Sequence, residues 1–249
     1  MRKIFTIVFI ASLLLFSGCS SPEFINQELS EQVYGHYYKS QTDEDAHAVL
    51  ILMGGSGYNA AYDDFAKDIA EHGYNVLLAD YYKGGESWGG NGLDSDDDIS
   101  GYHKNANEAL KYLLSLSDVD KDNIAVIGFS YGGMLGLNLA YRYDEVDAVI
   151  DIYGYLDFDP ALDVTETEFI KNLPPVCIIH GEKDKTVKIE RAEAIVDLLE
   201  KEGMEYEFNI LKDAGHAFVY AASEEDKILR DEALKITIDY LDNNLKKEN

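Results

Sequence analysis

Basic residues are scarce in this chain: 21 Lys and Arg stand against 47 Asp and Glu, a net charge of −26 over 249 residues. That deficit argues against nucleic acid as a partner. It argues equally against attachment to an anionic membrane through the protein surface, because both would repel an acidic face. Cysteine is scarcer still, with two in all, and no disulfide is expected. Neither internal repeats nor low-complexity tracts occur. What is present is ordinary for a soluble globule, with 46% apolar and 27% charged residues, and the length suits one α/β domain with a full core. The acidic surplus reads as a solvated surface. Its densest run, Asp94, Asp96, Asp97 and Asp98, could attract a cation but lacks the Gly and Glu spacing of a calcium loop. No metal site is expected.

The N-terminus is different in kind. Arg2 and Lys3 precede an apolar stretch over residues 4–16, of signal-peptide length and too short to span a bilayer comfortably. It runs into Phe16-Ser17-Gly18-Cys19, which resembles the lipobox of bacterial lipoproteins, with Phe16 where Leu is usual. The resemblance implies cleavage before Cys19 and lipidation of that residue, giving a signal peptide over 1–18, a polar tether over 19–31 and a folded domain over 32–249. Several acyl chains on one residue anchor stably where a single chain binds only marginally. The expected location is thus outside the cytoplasm, on a bacterial membrane. Cys177 lies in the apolar run Val176-Cys177-Ile178-Ile179 and reads as a buried core residue.

Beyond the tether, strand and helix patterns alternate. Strand-like runs fall at 32–38, 48–53, 75–80, 124–127, 148–153, 176–180 and 206–211. Helical patterns fall at 60–72, 105–116, 134–140, 189–201 and 224–241. Short apolar strands separated by amphipathic helices predict an α/β fold, a doubly wound and mostly parallel sheet with helices on both faces. Two segments interrupt the alternation, 81–101 and 155–172. Both leave carboxyl ends of strands, where open α/β sheets bind ligands, and neither is long enough for a large lid domain.

The strand at 124–127 leads into Gly128-Phe129-Ser130-Tyr131-Gly132 and then a helix. A Gly-x-Ser-x-Gly between strand and helix is the nucleophile elbow of α/β-hydrolases. A serine hydroxyl needs a base to take its proton and a carboxylate to orient that base, in the chain order Ser, Asp or Glu, His. His216, in Asp213-Ala214-Gly215-His216 directly after the last strand, is the well-placed base. His36, His47, His72 and His103 precede the serine, and His180 reads as marking a strand-to-loop turn. The loop after 176–180 carries Glu182 and Asp184, and Asp184 has the hydrolase spacing. Two backbone N–H groups must meet the oxyanion of an ester transition state. Tyr131, after the nucleophile, supplies one. Gly55, in Met53-Gly54-Gly55-Ser56-Gly57, supplies the other, with Ser56 as alternative. A phosphate-binding loop is the rival reading of these glycines, but no lysine stands at the required spacing.

From about residue 48 to residue 218 the chain resembles the dienelactone hydrolase branch of the α/β-hydrolases, on the Gly55 loop, the elbow at Ser130, Asp184 and His216. Dienelactone hydrolase itself uses a cysteine nucleophile, where this chain has Ser130. The stretch 50–82 is also similar to acyl-CoA thioesterases, and the Ser-Tyr-Gly-Gly elbow to prolyl oligopeptidase-type peptidases. These resemblances imply a serine hydrolase of esters working without metal or organic cofactor. Its alternatives are a peptidase or thioesterase of the same fold, or an inactive surface-binding lipoprotein. Tyr81, Tyr82, Trp88, Tyr153 and Tyr155 are expected to crowd the site mouth, where a small-molecule or carbohydrate ester could stack. Replacing Cys19 by Ser is expected to release the protein from membranes on cell fractionation. Continued sedimentation with membranes would exclude the lipid anchor.

Overall fold

The computed structural model describes residues 23–30, 33–41, 46–82, 99–159 and 161–245. Eight strands form one sheet: β1 (Glu23–Ser30), β2 (Val33–Lys39), β3 (Ala46–Leu52), β4 (Asn75–Asp80), β5 (Val119–Phe129), β6 (Ala148–Ile152), β7 (Val176–Gly181) and β8 (Tyr206–Leu211). Their order is β1-β2-β4-β3-β5-β6-β7-β8. The pairs β1–β2 and β2–β4 are antiparallel and all others parallel. Among the described residues six α-helices accompany the sheet: α1 (Ala60–Glu71), α2 (Ile99–Ser115), α3 (Tyr131–Arg142), α4 (Glu166–Lys171), α5 (Ile189–Glu202) and α6 (Glu224–Asn244). The doubly wound α/β arrangement is therefore as expected, and the described residues contain no lid domain.

The sheet's two faces build two cores, and side chains alternate between them along each strand. In β3, Ala48, Leu50 and Leu52 join the core under α2, α3 and α5. Val49, Ile51 and Met53 join the one under α1 and α6. Burial on both faces explains why the central strands read as continuous apolar runs. β8, at the sheet edge, instead mixes half-buried and exposed positions along most of its length. Cys177 is buried in the second core, and burial pushes its thiol up to about 12. Among the described residues, no helix is long and apolar enough to cross a membrane.

Local chemistry sets the helix limits. The Asn59 side chain accepts from Ala61 N–H at 2.9 Å and Ser223 from Asp226 N–H at 3.0 Å, capping α1 and α6. Gly203, at φ 72°, ends α5 in the left-handed region. Asp63 in α1 accepts from His36 Nδ1 at 2.7 Å and from the Tyr38 and Tyr58 hydroxyls, which fastens the helix to β2. The segment after β6 is fastened too. Asp159 N–H donates to Asn138 Oδ1 at 2.8 Å, and the Asp159 carboxylate pairs with Arg142.

Three expectations need correction. The tether over 19–31 does not hold past residue 22, because Glu23–Ser30 pairs with β2 from Glu23↔Lys39 onward. The physical reason is that β2 would otherwise expose a row of unpaired N–H and C=O groups at the sheet edge. Residues 23–30 thus belong to the sheet rather than to a tether. Helix α2 starts at Ile99, six residues earlier than its apolar period suggested, and the segment 155–172 contains α4, capped by Thr165. The signal peptide, Cys19, Trp88 and the acidic run Asp94, Asp96, Asp97 and Asp98 lie outside the described residues.

Packing is close where α3 crosses the end of β3. A Cβ on Gly132 would stand 2.3 Å from the Leu52 carbonyl oxygen and 2.4 Å from that of Met53. Both obstacles are backbone, so neither can swing away. Gly132→Ala is expected to destabilise the fold by about 1–3 kcal/mol or more, read as a lower urea midpoint at unchanged slope.

Candidate active site

The elbow forms because β5 delivers its chain directly into α3 with no loop between. Ser130 makes the turn at φ 53° and ψ −114°, a strained conformation for a residue with a side chain. Its N–H donates to Ile152 O at 2.9 Å, and its carbonyl accepts from Gly133 N–H at 2.9 Å. The motif's glycines answer a steric demand. A Cβ on Gly128 would lie 2.1 Å from the Gly132 carbonyl oxygen.

The three residues chosen from chain order converge. His216 Nε2 lies 3.1 Å from Ser130 Oγ, and His216 Nδ1 lies 2.6 Å from Asp184 Oδ2. The other carboxylate oxygen, Oδ1, accepts from Thr186 N–H at 2.8 Å and Val187 N–H at 3.0 Å. The Asp184 side chain is wholly buried, so these bonds stand in for water around its charge. A neutral imidazole donating Nδ1–H to this carboxylate presents a bare Nε2 to the serine hydroxyl, the arrangement that a general base requires. Glu182, the rejected carboxylate, instead accepts from Asp213 N–H at 3.3 Å.

His180 sits behind the triad, fully buried. Its Nε2 donates to Val187 O at 2.8 Å, which braces the turn that presents Asp184. Burial holds its imidazole below the usual value, so it adds no positive charge behind the carboxylate. On the opposite side, the Tyr153 ring meets the His216 ring edge-on at 4.8 Å. Tyr153 adopts φ 47°, a second strained residue touching the triad.

Tyr131 opens α3, and the first N–H groups of a helix have no acceptor inside it. Its amide is therefore available beside Ser130, at the positive end of the helix. The Gly55 loop runs alongside. A Cβ built on Gly54 would stand 3.5 Å from Ser130 Cβ, and Gly57 N–H donates to Gly54 O at 3.0 Å to close the turn. Gly54 thus packs against the nucleophile, and of the two residues after it Ser56 is more exposed than Gly55. The tyrosines expected at the mouth are placed differently. Tyr81, Tyr82 and Tyr153 are buried in the cores, because their apolar rings pack beneath the site, and Tyr155 alone is half-buried, under the Arg191 guanidinium.

The sequence reading passed over Asp151, visible as one acid inside the apolar run of β6. Its carboxyl lies under the elbow in a slot bounded by two glycines. A Cβ would approach its Oδ1 to 2.0 Å from Gly133 and to 1.9 Å from Gly154. No side chain donates to either oxygen, and burial pushes the carboxyl up to about 8, eased only in part by the Gly154 amide.

A mostly parallel sheet whose carboxyl ends bring Ser, Asp and His together in this chain order defines an α/β-hydrolase fold. Within that class the chain belongs to the dienelactone hydrolase family, whose sequence profile matches residues 34–245. The carboxymethylenebutenolidase homolog of Xenopus tropicalis is 25% identical over 228 residues, covering 85% of this chain and 87% of its own. A dienelactone hydrolase-like promiscuous phosphotriesterase from metagenomic libraries superposes with TM-score 0.72 at 19% identity, over 90% of this chain and 98% of its own. The acylaminoacyl peptidase of Pyrococcus horikoshii also gives TM-score 0.72, at 17% identity, over 97% of this chain but 45% of its own. At these identities the two structures speak to fold alone.

The Asp151 carboxyl generates a pH prediction. Its folded value is raised to about 8, whereas an unfolded aspartate titrates near 3.9. Between those values the unfolded chain releases a proton that the folded chain keeps, so stability falls as pH rises through this window and levels above it. Asp151→Asn removes the titration. Its stability relative to the wild type should grow by about 3 kcal/mol from about pH 5.5 to about pH 8, measured by urea unfolding at both. A pH-independent difference would show that Asp151 is ionised in the fold.

Proposed function

We propose that this protein is a serine hydrolase that cleaves carboxylic esters through an acyl-enzyme intermediate. The observation that carries the reading is the continuous hydrogen-bonded line Ser130 Oγ–His216–Asp184, at 3.1 and 2.6 Å. Ser130 Oγ attacks the ester carbonyl as His216 Nε2 takes its proton. Asp184 stabilises the imidazolium without itself being protonated. The oxyanion meets the N–H groups of Tyr131 and Gly55. His216 then donates its proton to the departing alkoxide, and the alcohol leaves. Water, deprotonated by the same imidazole, attacks the acyl-serine; the bond to Oγ breaks, the carboxylic acid leaves, and His216 returns the proton to Ser130 Oγ. The names of the relatives, carboxymethylenebutenolidase homologs and a lactonase, support an ester or lactone rather than an amide as the bond broken.

A small-molecule ester is favoured over a sugar-bound one, since Tyr81, Tyr82 and Tyr153 are buried and offer no open stacking platform. The proposed location is exported and tethered through lipid at Cys19, which rests on the lipobox resemblance alone. A peptidase reading has the shared fold in its favour, but this chain spans less than half of the peptidase that it resembles.

Ser130→Ala is expected to lower turnover of p-nitrophenyl esters on the order of a million-fold and to abolish labelling by a fluorophosphonate probe. A wild-type protein that stays unlabelled while folded would sink the serine mechanism. A matched panel of esters, thioesters and anilides gives the second outcome: hydrolysis of the esters alone is expected, and faster release of amine would transfer the protein to the peptidases.

A further inference from the structure

An oxyanion donor must be fixed before the reaction starts, yet the proposed donor Gly55 sits in a loop with glycine on one side and no side chain of its own. Such a segment has more conformational freedom than any other backbone. Three hydroxyls from outside the loop take hold of it. Tyr81 OH donates to Met53 O at 2.8 Å. Gly54 N–H donates to Tyr62 OH at 3.1 Å. Tyr82 OH donates to Gly54 O at 3.3 Å, where Gly57 N–H also donates.

These hydroxyls are themselves rigid. Tyr81 and Tyr82 stack with centroids 4.8 Å apart, and Tyr62 packs on Phe129 at 4.9 Å. All three are almost wholly buried. Burial raises the Tyr62 and Tyr81 hydroxyls well above the usual phenol value, so they keep their protons. Peptide geometry supplies the next step. In a planar trans peptide the N–H points opposite to the C=O, and the described chain has no cis bond. Holding the Gly54 carbonyl on Tyr82 and Gly57 therefore aims the Gly55 N–H away from both. A Cβ on Gly54 would stand 3.5 Å from Ser130 Cβ, so the peptide orientation is chosen beside the nucleophile.

We infer that Tyr62, Tyr81 and Tyr82 are positioning residues, whose hydroxyls set the plane of the Gly54–Gly55 peptide so that Gly55 N–H receives the oxyanion. The inference rests on the serine-esterase reading of the site. Tyr62 OH also bonds Tyr220 OH at 3.0 Å, and Tyr220 lies in the short 3-10 turn Phe218–Tyr220 that follows His216. One hydroxyl thereby joins the loop that carries the base to the loop that carries the oxyanion donor.

The test compares Tyr82→Phe, Tyr81→Phe and Tyr62→Phe with the wild type. Two quantities are measured: kcat and KM on p-nitrophenyl acetate, and the inhibition constant of an aryl trifluoromethyl ketone, which adds to serine and leaves a tetrahedral oxyanion. Each variant should lose about tenfold in kcat with KM within about twofold, and the ketone should weaken by the same factor. Tyr62→Phe leaves a buried N–H without its acceptor, so where that variant does not fold Tyr82→Phe decides, the Gly54 carbonyl there keeping Gly57. Folded variants with unchanged kcat and unchanged ketone binding overturn the inference. So does a loss confined to KM. Failure of the esterase reading looks different: the wild type itself would neither turn over the ester nor react with a fluorophosphonate.

Discussion

The site depends on a steric constraint, the close approach of α3 to the ends of β3 and β5. Ser130 can be lifted clear of the sheet only if the chain reverses within a single residue, and that reversal brings the Gly132 carbonyl against Gly128 and the Gly132 Cα against the carbonyls of Leu52 and Met53. Every other part of the machinery is referenced to this turn. The first free amide of α3 is beside the serine because the helix starts one residue after it. The glycine loop is beside the serine because it continues the strand that α3 presses on.

Around this fixed point the molecule buries an unusual set of polar groups and treats them differently. Asp184 is ionisable and out of water, but two amides and an imidazole surround its oxygens. Asp151, one strand away, is as deeply buried and receives almost nothing, so its proton stays. The contrast separates a carboxylate that must carry charge from a carboxyl that must not, using the same side chain under the same elbow. His180 follows the second pattern, held neutral where a charge would compete with His216 for the acid.

Much of this could be read from the chain. Strand and helix alternation was legible because the central parts of β3 to β7 are buried on both faces and mainly apolar. Ser130, Asp184 and His216 were legible because the fold imposes their order and each follows a recognisable strand. Less was legible where backbone decides. Strand β1 satisfies the open edge of β2 through main-chain groups, which composition does not signal, so it passed for tether. The tyrosines were misplaced for a related reason. Aromatic residues after β4 and β6 suggest a mouth, but whether a ring faces solvent or floor depends on the turn each strand makes, and Tyr153 takes a left-handed turn inward. Tyr62 carried no signal at all, being one apolar position in an amphipathic helix until its hydroxyl is seen against Gly54.

The strand at Glu23 carries one more consequence. With an anchor at Cys19, four residue steps would link lipid to sheet, a reach of at most about 14 Å. A thirteen-residue tether would let the domain drift well clear of the bilayer and sample every orientation. A four-step leash would instead pin the β1 edge near the headgroups and limit how far the catalytic face can turn. Such an enzyme would survey a thin layer of solution along the membrane, meeting mainly what diffuses within it.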